Sequence, residues 1–113
     1  MKTKEFNAVV KSRLTLIEQT LASKGEEYAD LKNDNKMHNF DKGAQITGKT
    51  REDVLIGFAM KHWISVTDIL DKIRETGELP SRTLLDEKLG DWTCYMLLLE
   101  ASIVDKINQK NPF

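Results

Sequence analysis

Residues 86–101 read DEKLGDWTCYMLLLEA, and how this stretch is read decides the fold. Leu89, Trp92, Met96 and Leu99 recur every three or four residues, the spacing that places them on one side of an α-helix. Extended in both directions, the stripe takes in Leu85, Ile103 and Ile107, so one helix runs from Ser81, a suitable N-cap, to about Gln109. The same stretch has a second apolar side. Leu84, Cys94, Tyr95 and Leu98 share or border the sector of Glu87 and Asp91, roughly opposite the main stripe. Three acidic groups, Asp86, Glu87 and Asp91, therefore stand at the start of a helix that is apolar on two sides.

The rest of the chain follows the same period. Phe6, Val10, Leu14, Ile17, Leu21 and Tyr28 mark a first helix from about residue 3 to about residue 30, with Gly25 as a local interruption. A polar stretch, LKNDNKMHNFDKGAQITGK, holds one short helix around residues 39–46. TRED then announces another helix, with Thr50 as cap and Asp53 at the third position. Its core stripe is Leu55, Phe58, Ala59, Val66, Ile69, Leu70 and Ile73, and ETGELP ends it through Gly77 and Pro80. The expected fold is all-α: a single domain over 1–113, an antiparallel bundle of three long helices and one short one, completed by oligomerisation.

Composition excludes several classes. With 17 basic and 18 acidic side chains the formal charge is only −1, so nothing global points to nucleic acid or an acidic membrane surface. The single cysteine, Cys94, cannot form an internal disulfide and reads as a small buried hydrophobe in a reducing compartment. The N-terminus lacks an apolar run of signal length, and CYMLLLEASIV is too short and interrupted to span a bilayer, so a cytoplasmic protein is expected. There is no glycine-rich phosphate loop and no Cys or Cys/His spacing for zinc.

The acidic start of the last helix has two readings. Asp86 and Glu87 favour a helix N-terminus through its dipole, and Glu87 with Asp91 would then border solvent. Alternatively, carboxylates beside apolar groups are neutralised by a divalent cation. Two other clusters bear on the choice. Lys61, Ser65, Asp68 and Lys72 share one face of the preceding helix, read either as a surface ion pair or as Asp68 joining a metal with Lys61 reaching a phosphate. Glu26, Glu27 and Asp30 end the first helix, Glu27 on the flank of its stripe. Acidic residues from three helices converging in a bundle is how carboxylate metal sites are built. His62 falls within a core stripe and reads as a buried, hydrogen-bonded histidine. Asn39 is either a helix cap or a base or sugar contact, Phe40 is core, Trp92 is core, and Tyr95 is the candidate for stacking on a base.

EKLGDWTCYMLLLEA resembles the EELGDLL helix of the MazG-like all-α nucleoside triphosphate pyrophosphohydrolases. The order EEYAD, HNF, TREDVLIGFAMKH, D, EKLGDW over about residues 24–101 is similar to small phage-encoded members of that superfamily. The resemblance implies a helical homodimer or homotetramer that uses Mg²⁺, held by Glu and Asp of neighbouring helices, to cleave nucleoside triphosphates between the α and β phosphates. Glu87 and Asp91 match the first and last acidic positions of the motif. Lys88 stands in place of its second glutamate, and Ser65 and Asp68 stand where a Glu-x-x-Glu pair is expected. The resulting expectation is a Mg²⁺-dependent (d)NTP pyrophosphohydrolase. Glu87, Asp91, Asp68 and Glu27 are its metal ligands, Glu27 and Asp68 its catalytic groups, and Lys61, Asn39 and Tyr95 its substrate contacts. The alternative is a catalytically inactive module binding a nucleotide or a host protein; a third reading is a structural bundle whose second apolar face makes a dimer.

Overall fold

The computed structural model describes the backbone of residues 1–28 and 35–110 and the side chains of 1–22 and 35–110. The protein is all-α. Its helices are α1 (Thr3–Tyr28), α2 (His38–Thr47), α3 (Arg51–Thr76) and α4 (Arg82–Lys110). None of the described helices is long and apolar enough to cross a membrane.

The helix ends are set by local chemistry. Thr50 has extended backbone, and its hydroxyl accepts the Asp53 N–H at 3.1 Å, closing an N-cap. Ser81 does the same for Leu84 N–H at 3.1 Å at the head of α4. α2 and α3 stop at Gly48 (φ 70°) and Gly77 (φ 72°), left-handed positions that glycine adopts without the Cβ penalty. Asn39 lies inside α2, and the residue at the N-cap position is Met37, so capping is not its role.

α3 and α4 form an antiparallel hairpin, with His62 and Trp63 beside Tyr95 and Trp92 midway and Arg51 beside Ser102 at the far end. α2 folds back onto α3 and delivers Phe40, which is 0% exposed, into a core shared with Leu55, Ala59 and Tyr95. Phe40 meets Phe58 and Tyr95 edge-on, at centroid distances of 5.7 and 6.5 Å. α1 runs along α4 in the same sense: Val10 and Leu14 lie near Leu85 and Leu89, and Thr20 near Asp91.

α4 buries both of its apolar sides, the expected stripe less deeply than the second one. The buried residues are Gly90, Cys94, Tyr95 and Ser102, on the second apolar side, whereas Ile103 and Ile107 of the stronger stripe are exposed. The first-helix stripe is likewise exposed at Phe6, Val10 and Leu14. The stronger stripe is covered at its middle, where Trp92, Met96 and Leu99 pack half-buried against the core, and uncovered toward its C-terminal end.

Candidate functional site

The acidic head of α4 meets α1 at one arginine. Arg13 donates through Nη1 to the Asp86 carbonyl at 3.0 Å and reaches the Asp86 carboxylate through Nη2 at 3.5 Å. Arg82, one turn earlier on α4, also touches that carboxylate, at 3.0 Å. Asp86 is thus engaged by two guanidinium groups. The approach is close because residue 90 is glycine: a Cβ there would lie 2.8 Å from Arg13 Nη1. This gives the glycine of EKLGDW a physical purpose, which is to let the guanidinium lie on the helix surface.

Beside this contact is an open cleft of about 270 Å³ between α1 and α4, lined by Arg13, Thr20, Glu87, Gly90 and Asp91 among others. The two carboxylates differ in environment. Glu87 is 59% exposed and lies 3.6 Å from its neighbour Lys88, whereas the Asp91 side chain is 14% exposed, with Oδ2 3.5 Å from His62 Nδ1. His62 in turn stacks on Tyr95 with centroids 5.0 Å apart. A buried carboxylate is costly unless hydrogen-bonded or paired, so α3 fixes the Asp91 side chain through His62 while Glu87 keeps its freedom. His62 was expected to be buried and hydrogen-bonded; its side chain is 16% exposed and lies against Asp91.

The remaining candidates fall elsewhere. Asp68 faces a different cleft, of about 220 Å³, with Ser65, Lys72 and Lys88. α3 lies along the Leu84–Lys88 side of α4 and α1 along the Asp86–Gly90 side, so Asp68 is not brought into the Glu87–Asp91 cleft. Lys61 is exposed on α3, its carbonyl accepting the Ser65 hydroxyl. Asn39 is exposed on α2. Tyr95 is 7% exposed, turned into the core against His62 and Phe40, so its ring serves packing there and does not present a face at the surface. The side chain of Glu27, like those of Glu26 and Asp30, lies outside the described residues. Among the described residues no three His, Cys, Asp or Glu side chains come together as a set that could hold a metal ion.

One polar centre had no counterpart in the sequence reading. Arg51, at the first turn of α3, donates through Nε to Ser102 Oγ (2.7 Å) and through Nη2 to the Ser102 carbonyl (3.1 Å) and Asp105 (2.9 Å). Its Nη1 reaches Asp41 of α2 at 3.2 Å. Ser102, fully buried, donates to Glu52, which also pairs with Lys106. Burial works against the Arg51 charge, but the hydrogen bonds and charges of Asp105 and Asp41 outweigh it and raise its pKa. The hydrogen bonds from Lys106 and Ser102 hold the Glu52 carboxyl below its usual value. The only sequence signal was a serine in an apolar run 11 residues after Asp91. No family model matches the chain, and neither a curated protein nor a solved structure shows a significant match to it.

Proposed function

We propose that the α1–α4 cleft binds the phosphates of a nucleoside triphosphate together with Mg²⁺, and that the protein is a phage-type (d)NTP pyrophosphohydrolase. The observation that carries this reading is the pairing, in one cleft, of Glu87 and Asp91 with the Arg13 guanidinium. Two carboxylates one helical turn apart are hard oxygen donors, and Mg²⁺ is commonly held by one or two carboxylates plus water and substrate phosphate oxygens, so the donor set fits. Glu87 and Asp91 would hold the ion. When bound, it supplies charge neutralisation of the phosphates and a lowered pKa for an attacking water.

The chain's own residues then divide the work. Asp91, set by His62, offers a carboxylate of fixed orientation. Glu87 is free to adjust as the substrate enters. Arg13 is held over the cleft by the Asp86 carbonyl and places positive charge beside the phosphates. Lys61 on α3 and Asn39 on α2 are proposed as outer contacts to phosphate and to base or sugar.

The test is turnover of each common NTP and dNTP with and without Mg²⁺, reading monophosphate and pyrophosphate, alongside Asp91→Asn. The expected result is Mg²⁺-dependent release that falls at least about 100-fold in the variant. Undiminished turnover in correctly folded Asp91→Asn removes the assignment.

A second reading rests on a separate observation: Lys88 and Ser65 occupy positions where the resembled family has carboxylates, and both line the cleft of Asp68. In this reading the protein binds a nucleotide or a host protein and does not turn it over. Tight nucleotide binding by calorimetry without product would support it.

A further inference from the structure

α1 and α4 enclose a second cleft, of about 280 Å³, unlike the one beside Glu87 and Asp91. At 100° per residue Leu85 and Leu89 point almost opposite to Glu87 and Asp91, so the two clefts open on different flanks of the contact between the helices. The walls of the second are Val9, Val10 and Leu14 of α1 and Leu85 and Leu89 of α4, none of which carries a hydrogen-bonding side-chain group. Val9, Val10 and Leu14 are exposed. The polar side chains that line this cleft are two arginines, Arg13 and Arg82. Both reach the same oxygen of Asp86, Arg82 through Nε at 3.0 Å and Arg13 through Nη2 at 3.5 Å. Arg82 is half exposed, and its Nη groups meet no carboxylate among the described residues. An aliphatic cleft is thus bordered by two positive charges that share one negative charge.

We propose that this cleft binds a small amphiphilic molecule with one anionic head. Its apolar body lies between Val10, Leu14, Leu85 and Leu89, and its carboxylate or phosphate takes the remaining donors of Arg82 and Arg13. Charge selects the head. A guanidinium binds a carboxylate or phosphate through paired N–H donors, and the positive charge left over after Asp86 favours an anion and repels a cation. Volume selects the body. An apolar cavity of about 150 Å³ holds one benzene ring, so 280 Å³ takes an apolar group a little under twice that size, a medium-length alkyl chain or a fused bicyclic ring. Aliphatic walls with a few placed polar groups are the usual make-up of a small-molecule site. A cleft of this size accepts at most a few side chains of a protein partner, whereas a standard protein interface hides about 1,200–2,000 Å². The site is separate from the proposed nucleotide cleft, because neither Glu87 nor Asp91 lines it. A molecule seated there touches α1 and α4 together and ties the first helix to the last.

Four eight-carbon probes that differ only in the head test the proposal: octanoate, octyl phosphate, octanol and octylamine. Each is titrated into the full chain below its micelle concentration, with affinity read by calorimetry and location by the methyl NMR shifts of the valines and leucines. The expected result is saturable binding of the two anions, with the tighter one naming the head group. Octanol should bind at least about tenfold more weakly, the effect of losing one charged hydrogen bond, and octylamine should not bind. The shifts should centre on Val9, Val10, Leu14, Leu85 and Leu89. Arg82→Gln, at a half-exposed side chain, should weaken the anions at least about tenfold and leave octanol unchanged, while Val10→Trp, which fills the cleft, should weaken all of them. The methyl spectra of the ligand-free variants report their folding, and the wild-type probe series does not depend on any variant. Absence of saturable anion binding, equal affinity for octanol and octanoate, binding of octylamine, or shifts centred on other methyls would overturn the proposal. So would shifts of these five residues on dilution of the ligand-free protein, which would give the cleft to a second copy of the chain.

Discussion

Replacing Gly90 by alanine sets two effects of known size against each other. Alanine in a helix interior is better than glycine by about 1 kcal/mol. Here the added Cβ would lie 2.8 Å from Arg13 Nη1, so the guanidinium must leave the Asp86 carbonyl it holds at 3.0 Å. A hydrogen bond from a charged group is worth about 1.5–3 kcal/mol, and the lower end applies because Arg13 and Asp86 are partly exposed. The two terms leave Gly90→Ala destabilising by about 0.5 kcal/mol, or about 2 °C in Tm for a chain of this length. With Arg13→Ala already in place nothing obstructs the methyl group, and the same substitution should stabilise by about 1 kcal/mol, raising Tm by about 4 °C. The coupling read from the four proteins is therefore about 1.5 kcal/mol. Thermal unfolding at one fixed protein concentration measures it. An equal rise in Tm in both backgrounds would show that Gly90 does not make room for Arg13, and the account of how α1 seats on the acidic motif would fail.

Other perturbations have definite expected outcomes. Phe40→Ala removes a fully buried ring that joins α2, α3 and α4, and should cost about 3–5 kcal/mol in urea unfolding; a loss under 1 kcal/mol would mean that α2 is not part of the core. Arg51→Ala should cost about 2–3 kcal/mol, and Asp105→Asn, whose side chain is half exposed, less than about 1, so equal losses would refute the ranking. Glu52 titrates in the folded protein below its ordinary 4.5, so its contribution is complete above that pH and is lost as pH falls through the lower folded value. Lys106→Met removes the largest cause of that shift. The urea midpoints of wild type and variant should differ most near neutrality and converge at the acid end; a gap that widens toward acid contradicts the sign.

Helix number, order and ends were legible in the sequence because they depend on neighbours in the chain: Thr50, Gly77 and Ser81 act on groups within four residues. Phe40 was expected in the core, and His62 was expected to be buried from its place in the stripe of α3. How deeply each side of α4 is buried was not legible, because both sides are apolar and the depth is set by how α3 and α1 pack on it. Asp68 shows the same limit. Spacing places it on a face of α3, but whether that face meets Asp91 or Lys88 depends on how α3 lies against α4. The Arg51–Ser102–Glu52 centre joins residues about 50 apart, and no local pattern announces it.

Arg13 and its carbonyl partner are 73 positions apart, the first helix waiting on the last. At about 5–20 residues per second on the ribosome, roughly 4–15 s separate the appearance of α1 from that of the α4 segment that receives it. Throughout that interval Val10 and Leu14 lack Leu85 and Leu89, with which they line a cleft in the folded chain, and helices in proteins draw most of their stability from such packing. The α3–α4 hairpin closes through its short connection in far less time. Folding in the cell therefore ends with the N-terminus, and substitutions along α1 should lower soluble yield in rapid expression before they change the stability of the finished protein.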